Sequence, residues 1–258
     1  MNSLNLKDTT EALLDTFIEA GKVARKISLQ GAKITIKADH SPVTDGDLAV
    51  DKLLKSKITE LTPKIPIISE ETVNLQKENK NKTFWLIDPI DGTKDYIKKG
   101  DEYTLNAALI CDLKPVMGIV YAPAKERLFF SYGRDSSFEI FNGNKKKLDC
   151  NKMNVGEIIG LANSDKTPSE VLDIYKKNEV SKIIKMSSSL KFCVIAAGEA
   201  DIYAANARAF EWDIAAGHAV LEHAGGLITT HSEENFLYGK RSYRNIPIIV
   251  KRAKNLKE

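Results

Sequence analysis

An apolar run, Thr83–Ile87, ends in Asp88-Pro89-Ile90-Asp91-Gly92-Thr93. The run reads as a buried strand, and two carboxylates stand at its end. A bare carboxylate is costly to desolvate, so acids placed there need partners. Other acids stand in the same relation to apolar elements. Glu70 and Glu71 follow Ile65–Ile68, and Asp213 follows Trp212 at the start of a helix. Arginine or lysine would be the usual remedy, yet the 88–93 segment brings only Lys94. Acids that converge without matched bases imply a cation. Oxygen ligands without His or Cys point to a hard metal such as Mg²⁺.

The segment suggests how it works. Pro89 fixes φ and sharpens a turn. Asp88 and Asp91 then reach one metal cluster from a tight bend, with the Ile90 carbonyl as a neutral oxygen ligand. Gly92 allows backbone to approach a ligand closely. A helix beginning there would leave the Gly92 and Thr93 amides free for an anion. Taken singly, Asp91 reads equally as a turn residue and Asp213 as a helix N-cap. Glu71 reads as a solvated neighbour of Glu70.

Composition narrows the class. The 258 residues are 43% hydrophobic and 28% charged, the balance of an ordinary globular protein. A disulfide mini-scaffold, a collagenous repeat and a wholly disordered chain are excluded. The 38 Lys+Arg against 35 Asp+Glu leave +3, with no global reason to expect a nucleic acid as partner. Lys145-Lys146-Lys147 after Asn142-Gly143-Asn144 reads as a solvated turn. Cys111, Cys150 and Cys193 have no metal-type spacing and read as reduced thiols, Cys111 and Cys193 as core residues. Asp8, Glu11, Asp15 and Glu19 argue against a signal peptide, and no run is long enough for a membrane span.

Periodicity places the elements. Helices are expected over Leu4–Leu29, about Asp45–Leu61 with Thr44 as N-cap, about Ser169–Asn178, a long one from Leu190 to Ala197, and Asp213–Ala224. Ala32–Ala38 and Ile65–Ile68 read as short strands, with Asp39-His40-Ser41-Pro42 as loop. Tyr103–Cys111, Pro115–Tyr121, Arg127–Tyr132 and Ser137–Phe141 suggest an antiparallel meander. After Cys150 the texture becomes α/β alternation, with strands Ile158–Ala162, Lys182–Met186, Asp201–Ala204, Leu227–Thr230 and Ile246–Val250. The chain thus divides into two layered α/β parts, 1–150 and 151–258.

Asp88-Pro-Ile-Asp-Gly-Thr93, Trp212-Asp213-Ile-Ala-Ala-Gly217 and Ser69-Glu70-Glu71 resemble the lithium-sensitive, magnesium-dependent inositol monophosphatase superfamily. Lys37-Ala-Asp-His-Ser-Pro-Val-Thr-Asp45, Asp91-Gly-Thr-Lys-Asp-Tyr96, Ser188-Ser-Leu-Lys-Phe-Cys193 and Glu211–Val220 are similar to its CysQ-type 3'(2'),5'-bisphosphate nucleotidases. The resemblance covers about residues 10–250. It implies an α/β fold layered α-β-α-β-α, as in inositol monophosphatase and fructose-1,6-bisphosphatase.

For the site, the resemblance implies two or three Mg²⁺ held by Glu70, Asp88, the Ile90 carbonyl, Asp91 and Asp213. Glu70 and Thr93, the latter hydrogen-bonded to Asp45, would activate a water. The Gly92 and Thr93 amides would bind the phosphate, and Ser188 and Lys191 would grip a distal phosphate. The implied reaction is hydrolysis of the 3'-phosphate of adenosine 3',5'-bisphosphate, and of its sulfated form, in recycling a by-product of sulfate assimilation. The implied setting is cytoplasmic, as monomer or homodimer, with peripheral contact at the inner membrane. One departure stands out: the arginine usual after the Asp-x-Tyr stretch is replaced by Ala205, with Arg208 nearby as a substitute. That absence favours an alternative, an inositol-1-phosphate or sugar-bisphosphate phosphatase. A non-catalytic nucleotide or metal sensor is a second alternative, disfavoured by the complete acid set. Lys191 reads equally as a solvated helix lysine, and His218 as a packed or exposed helix histidine.

Overall fold

The computed structural model describes residues 4–37, 40–76, 79–150, 156–232, 234–253 and 256. Ala38 and Asp39 of the Lys37–Asp45 motif, and residues 151–155 beside the expected boundary between the two parts, lie outside them. The elements run α1 (Leu6–Gln30), β1 (Ile34–Ile36), β2 (Pro42–Thr44), α2 (Asp45–Leu61), β3 (Ile67–Ser69), β4 (Phe84–Asp91), α3 (Thr93–Ile97) and β5 (Thr104–Cys111). Next come β6 (Lys114–Ala122), β7 (Arg127–Ser131), β8 (Ser137–Phe141), β9 (Asn144–Lys147), β10 (Ile159–Ala162), α4 (Ser169–Lys177) and β11 (Lys182–Lys185). The chain closes with α5 (Leu190–Ala196), β12 (Ile202–Ala205), α6 (Glu211–His223), β13 (Leu227–Thr230) and β14 (Ile248–Lys251).

Strands β3 to β9 form one seven-stranded sheet in chain order, and β11-β10-β12-β14-β13 form a second sheet of five. Alternation along β4 separates two cores. Trp85 and Ile87 pack with Leu13, Phe17, Val50 and Leu54 of α1 and α2. Phe84 and Leu86 pack with Phe192 of α5 and Ala216 and Val220 of α6. Both faces of the strand are therefore apolar, as its unbroken hydrophobic run requires. The α5–α6 layer is buried on its far side by Leu161, Tyr203 and Val250 of the second sheet. Val171 and Tyr175 of α4 cover the outer face of that sheet against Ile202 and Ile249. The order of layers is α-β-α-β-α, the expected architecture. The seven strands fall within 1–150 and the five within 151–258, while α5 and α6 of the second part complete the core of the first.

Helix α6 lies directly on β6 because Gly118 has no side chain. A Cβ there would stand 2.4 Å from the Ala216 carbonyl oxygen, a separation no packed structure tolerates. The helix is buried nearly all round, so its sequence shows little amphipathic signal.

Several elements differ from expectation. Pro42 opens a strand instead of closing a loop: β1 and β2 pair antiparallel, with Ile34 and Ile36 exposed. The basic run is an edge strand and not a turn, since β9 pairs with β8. Its exposed lysines discourage further pairing at that edge, and Lys145 Nζ lies 4.3 Å from the Phe138 ring centroid. The helix from Leu190 is a short one of seven residues. Cys193 is buried as expected, whereas Cys111 is only partly so.

Candidate active site

The two aspartates do not sit on a turn. Strand β4 continues through Asp91, pairing Asp88 with Asn106 and Asp91 with Thr104. Three steps along β4 therefore match two along β5, which is a β-bulge. The extra residue inverts the facing of the residues after it. Ile90 packs with Ile87 in the α1–α2 core, so Asp91 returns to the face of Asp88. Pro89 sits in the bulge, where a missing N–H is tolerated. Gly92, at φ 91° and ψ 34°, then breaks the strand and caps α3. That left-handed conformation is the reason for glycine here. The first helical bonds run from the Asp95 and Tyr96 amides to the Gly92 carbonyl, so the helix ladder does not use the Thr93 and Lys94 amides, while the Gly92 amide is turned to the Asp91 carboxylate.

Glu70 and Asp213 come to the same place from other elements. Strand β3 runs parallel to β4, and the Glu70 amide donates to the Ile87 carbonyl at 3.1 Å. The Glu70 side chain thus leaves its strand beside Asp88. Asp213 is the third residue of α6, not its cap, and its Oδ2 accepts the Phe210 amide at 2.9 Å. Carboxylate oxygens of Glu70, Asp88 and Asp213 lie within 4.8 Å of one another. Burial, followed by mutual repulsion, pushes the Asp88 and Asp213 carboxyls well above the usual range. Burial also raises Glu70. Asp88 is 1% exposed, and its Oδ1 has no hydrogen-bond partner. An unsatisfied buried oxygen among like charges, with neither His nor Cys, fits a hard divalent cation.

Asp91 borders this trio. Its Oδ2 accepts the Ser189 amide at 2.5 Å, and burial lifts its pKa to about 6 against the pull of Lys191. The Ile90 carbonyl accepts the Thr93 hydroxyl at 3.1 Å. The expected Asp45–Thr93 hydrogen bond is not formed: the Thr93 hydroxyl gives its one proton to the Ile90 carbonyl, and Asp45 Oδ1 accepts the Lys33 amide from the chain before β1. The acid turned inward from α2 is Asp47. It is buried, accepts the Thr44 amide at 2.7 Å and the Thr44 hydroxyl at 2.5 Å, and sits in the field of Glu70. Burial raises its pKa to about 6. Thr44 followed three residues later by an acid is a capping-box pattern, the local signal that could have singled it out.

Glu71 is not solvated. Its side chain is 3% exposed and pairs with Lys37 at 2.9 Å, while the same ammonium lies 3.4 Å from Glu70.

A cleft of about 440 Å³ opens beside the acids, lined by Glu70, Asp91, Gly92, Thr93 and Asp213 together with Ser187, Ser188, Lys191 and Arg208. Lys191 is buried, not a solvated helix lysine. Its Nζ donates to the Ser188 carbonyl at 2.5 Å and lies 5.1 Å from the Tyr203 ring centroid. Burial lowers its pKa to about 8. The Ser188 hydroxyl is engaged by the Glu102 carbonyl. Ala205 and Arg208 both border the cleft, so a cation faces it where the sequence lacks the usual arginine. His218 is a packed histidine, with Nδ1 2.9 Å from the Tyr238 hydroxyl and Nε2 3.2 Å from Glu222.

A layered α-β-α-β-α sandwich with acids gathered at the end of its larger sheet defines a class that comparison with known proteins identifies. Residues 5–258 match the family model described as "Inositol monophosphatase family". The chain belongs to that family and is a phosphatase of it. It is 38% identical over 211 residues to the 3'(2'),5'-bisphosphate nucleotidase CysQ of Buchnera aphidicola, covering 81% of this chain and 78% of the relative. The Haemophilus influenzae protein of the same name is 31% identical over 245 residues, 93% of this chain and 91% of that one. The crystal structure of CysQ from Bacteroides thetaiotaomicron superposes with a TM-score of 0.79 at 28% identity, covering 100% of both chains. No helix among the described residues is long and apolar enough to cross a membrane.

Proposed function

We propose that this chain hydrolyses the 3'-phosphate of adenosine 3',5'-bisphosphate, giving AMP and phosphate, with Mg²⁺ held by Glu70, Asp88, the Ile90 carbonyl, Asp91 and Asp213. The observation that carries the reading is the Glu70–Asp88–Asp213 cluster with its unpartnered Asp88 oxygen, beside a cleft that Lys191 and Arg208 also line. Relatives at 31–38% identity carry the bisphosphate nucleotidase name. Two or three bound Mg²⁺ supply Lewis acidity and neutralise charge on the ester.

The chain's own groups do the rest. Thr93, its hydroxyl held by the Ile90 carbonyl, orients a water in the cleft. Glu70, partly open to the cleft, takes the proton of that water. The water oxygen bonds to phosphorus as the bond to the ribose 3'-oxygen breaks, and the leaving oxygen takes a proton from solvent. The Thr93 amide holds the transferred phosphate. Lys191 and Arg208 hold the distal one, with Ser188 shaping the wall between. On this reading the chain works in the cytoplasm, recycling a by-product of sulfate assimilation.

The test is a substrate panel with Mg²⁺. Phosphate release from adenosine 3',5'-bisphosphate is expected. No release from it alongside brisk hydrolysis of inositol 1-phosphate would defeat the assignment.

A further inference from the structure

Ser187-Ser188-Ser189, between β11 and α5, fastens one sheet to the other. The Ser187 amide donates to Glu102 Oε2 at 2.7 Å, and the Ser188 hydroxyl donates to the Glu102 carbonyl. The Ser189 amide donates to Asp91, and its hydroxyl donates to Asn106 at 2.5 Å. Glu102 is itself fixed, since its amide donates to Asp95 Oδ2 at 2.9 Å. Ser188 takes φ 55°, a left-handed conformation that serine rarely adopts unless its surroundings impose it. The bonds to Glu102 from Ser187 and Ser188 hold this turn, together with Lys191 Nζ on the Ser188 carbonyl. The turn they hold delivers the Ser189 N–H to Asp91.

We infer that Glu102 is a positioning residue: its carboxylate fixes the Ser187–Ser189 turn, and through the Ser189 amide it orients the Asp91 carboxylate. The inference rests on the proposed role of Asp91 toward Mg²⁺. Glu102 lies in the connection between α3 and β5, far from Ser187 in sequence, so the chain order gives no hint of the link. A carboxylate oriented by a hydrogen-bonded partner loses roughly 10- to 100-fold in metal affinity when that partner goes.

Mg²⁺ binding by calorimetry, with melting temperature recorded in parallel, tests it on the full chain. Glu102→Ala removes the acceptor for the Ser187 amide, and about 10-fold weaker Mg²⁺ binding is expected. Glu102→Gln keeps an oxygen acceptor, so affinity within about twofold of the parent is expected, since the Ser187 amide meets an amide oxygen where it met a carboxylate oxygen. A melting temperature that falls in Glu102→Ala while Mg²⁺ affinity stays unchanged overturns the inference, because a merely structural tie behaves that way. Glutamine as damaging as alanine overturns it too, since charge opposite Lys191 would then be what matters. If Glu102→Ala does not fold, Glu102→Asp reads the same link by drawing the carboxylate back from the Ser187 amide. Weaker Mg²⁺ binding is expected, and unchanged binding overturns the inference. Failure of the parent chain to bind Mg²⁺ removes the reading of the acid cluster instead, a distinct result.

Discussion

Asp88 and Asp91 project from the same face of β4, although residues three apart on a regular strand face opposite ways. One bulged residue makes the difference. It turns Ile90 into the α1–α2 core and frees the two carboxylates to face Glu70 and Asp213.

Asp88→Asn should separate catalysis from stability. Phosphate release should fall by roughly a thousandfold, since on the proposed reading Asp88 is a ligand through which bound Mg²⁺ would act. Without Mg²⁺ the same variant should melt about 2–4 °C higher, because a buried carboxylate repelled by its neighbours has been made neutral. Activity and thermal melting in chelator check both, and a lower melting point would show that the acids do not repel.

Stability without metal should fall as pH rises. The folded pKa values of Asp47 and Asp91, about 6, stand above the ordinary 3.8. The folded state therefore holds protons more tightly than the unfolded state. Their contribution is fully present below about 3.8 and is lost as pH rises through about 6. Mg²⁺ relieves the repulsion, so the rise in melting temperature on adding Mg²⁺ should be larger near pH 7.5 than near pH 5 (roughly the two sides of this window). Equal rises at both would contradict the electrostatics.

Asp47 and Asp45 should behave differently. Asp47→Ala breaks the bonds to Thr44 at the start of α2 and should cost about 1 kcal/mol. It should also lower turnover, because Asp47 shares the field of Glu70. Asp45→Asn keeps an acceptor for the Lys33 amide and should leave turnover unchanged. Paired kinetic and denaturation measurements decide between them.

Lys191→Met keeps the length of a buried side chain and removes its charge. KM for adenosine 3',5'-bisphosphate should rise about 10-fold or more, a loss of roughly 1.4 kcal/mol in binding, with the fold intact. A KM that does not move would place the distal phosphate on Arg208 instead.

Much of this arrangement was legible in the chain. The apolar strand ending in acids, the helical stretch of α2 from Asp45 to Leu61 and the scarcity of bases beside Asp88 are local properties, although Leu48, expected on the inner face of α2, is exposed. They specified the kind of elements and the chemistry of a hard cation. The resemblance carried by Asp88–Thr93 and Trp212–Gly217 supplied the layer order.

Other features needed distant residues to exist at all. Lys37 hides Glu71, Glu102 holds Ser187, and Tyr203 covers Lys191. None of these pairs is near in sequence, and whether a charge is solvated depends on what packs over it. The facing of Asp91 is the sharpest case. Residue identity stated that a carboxylate stood there. Which side of the sheet it faced depended on register against β5, and register is settled only when two strands pair and both faces are buried.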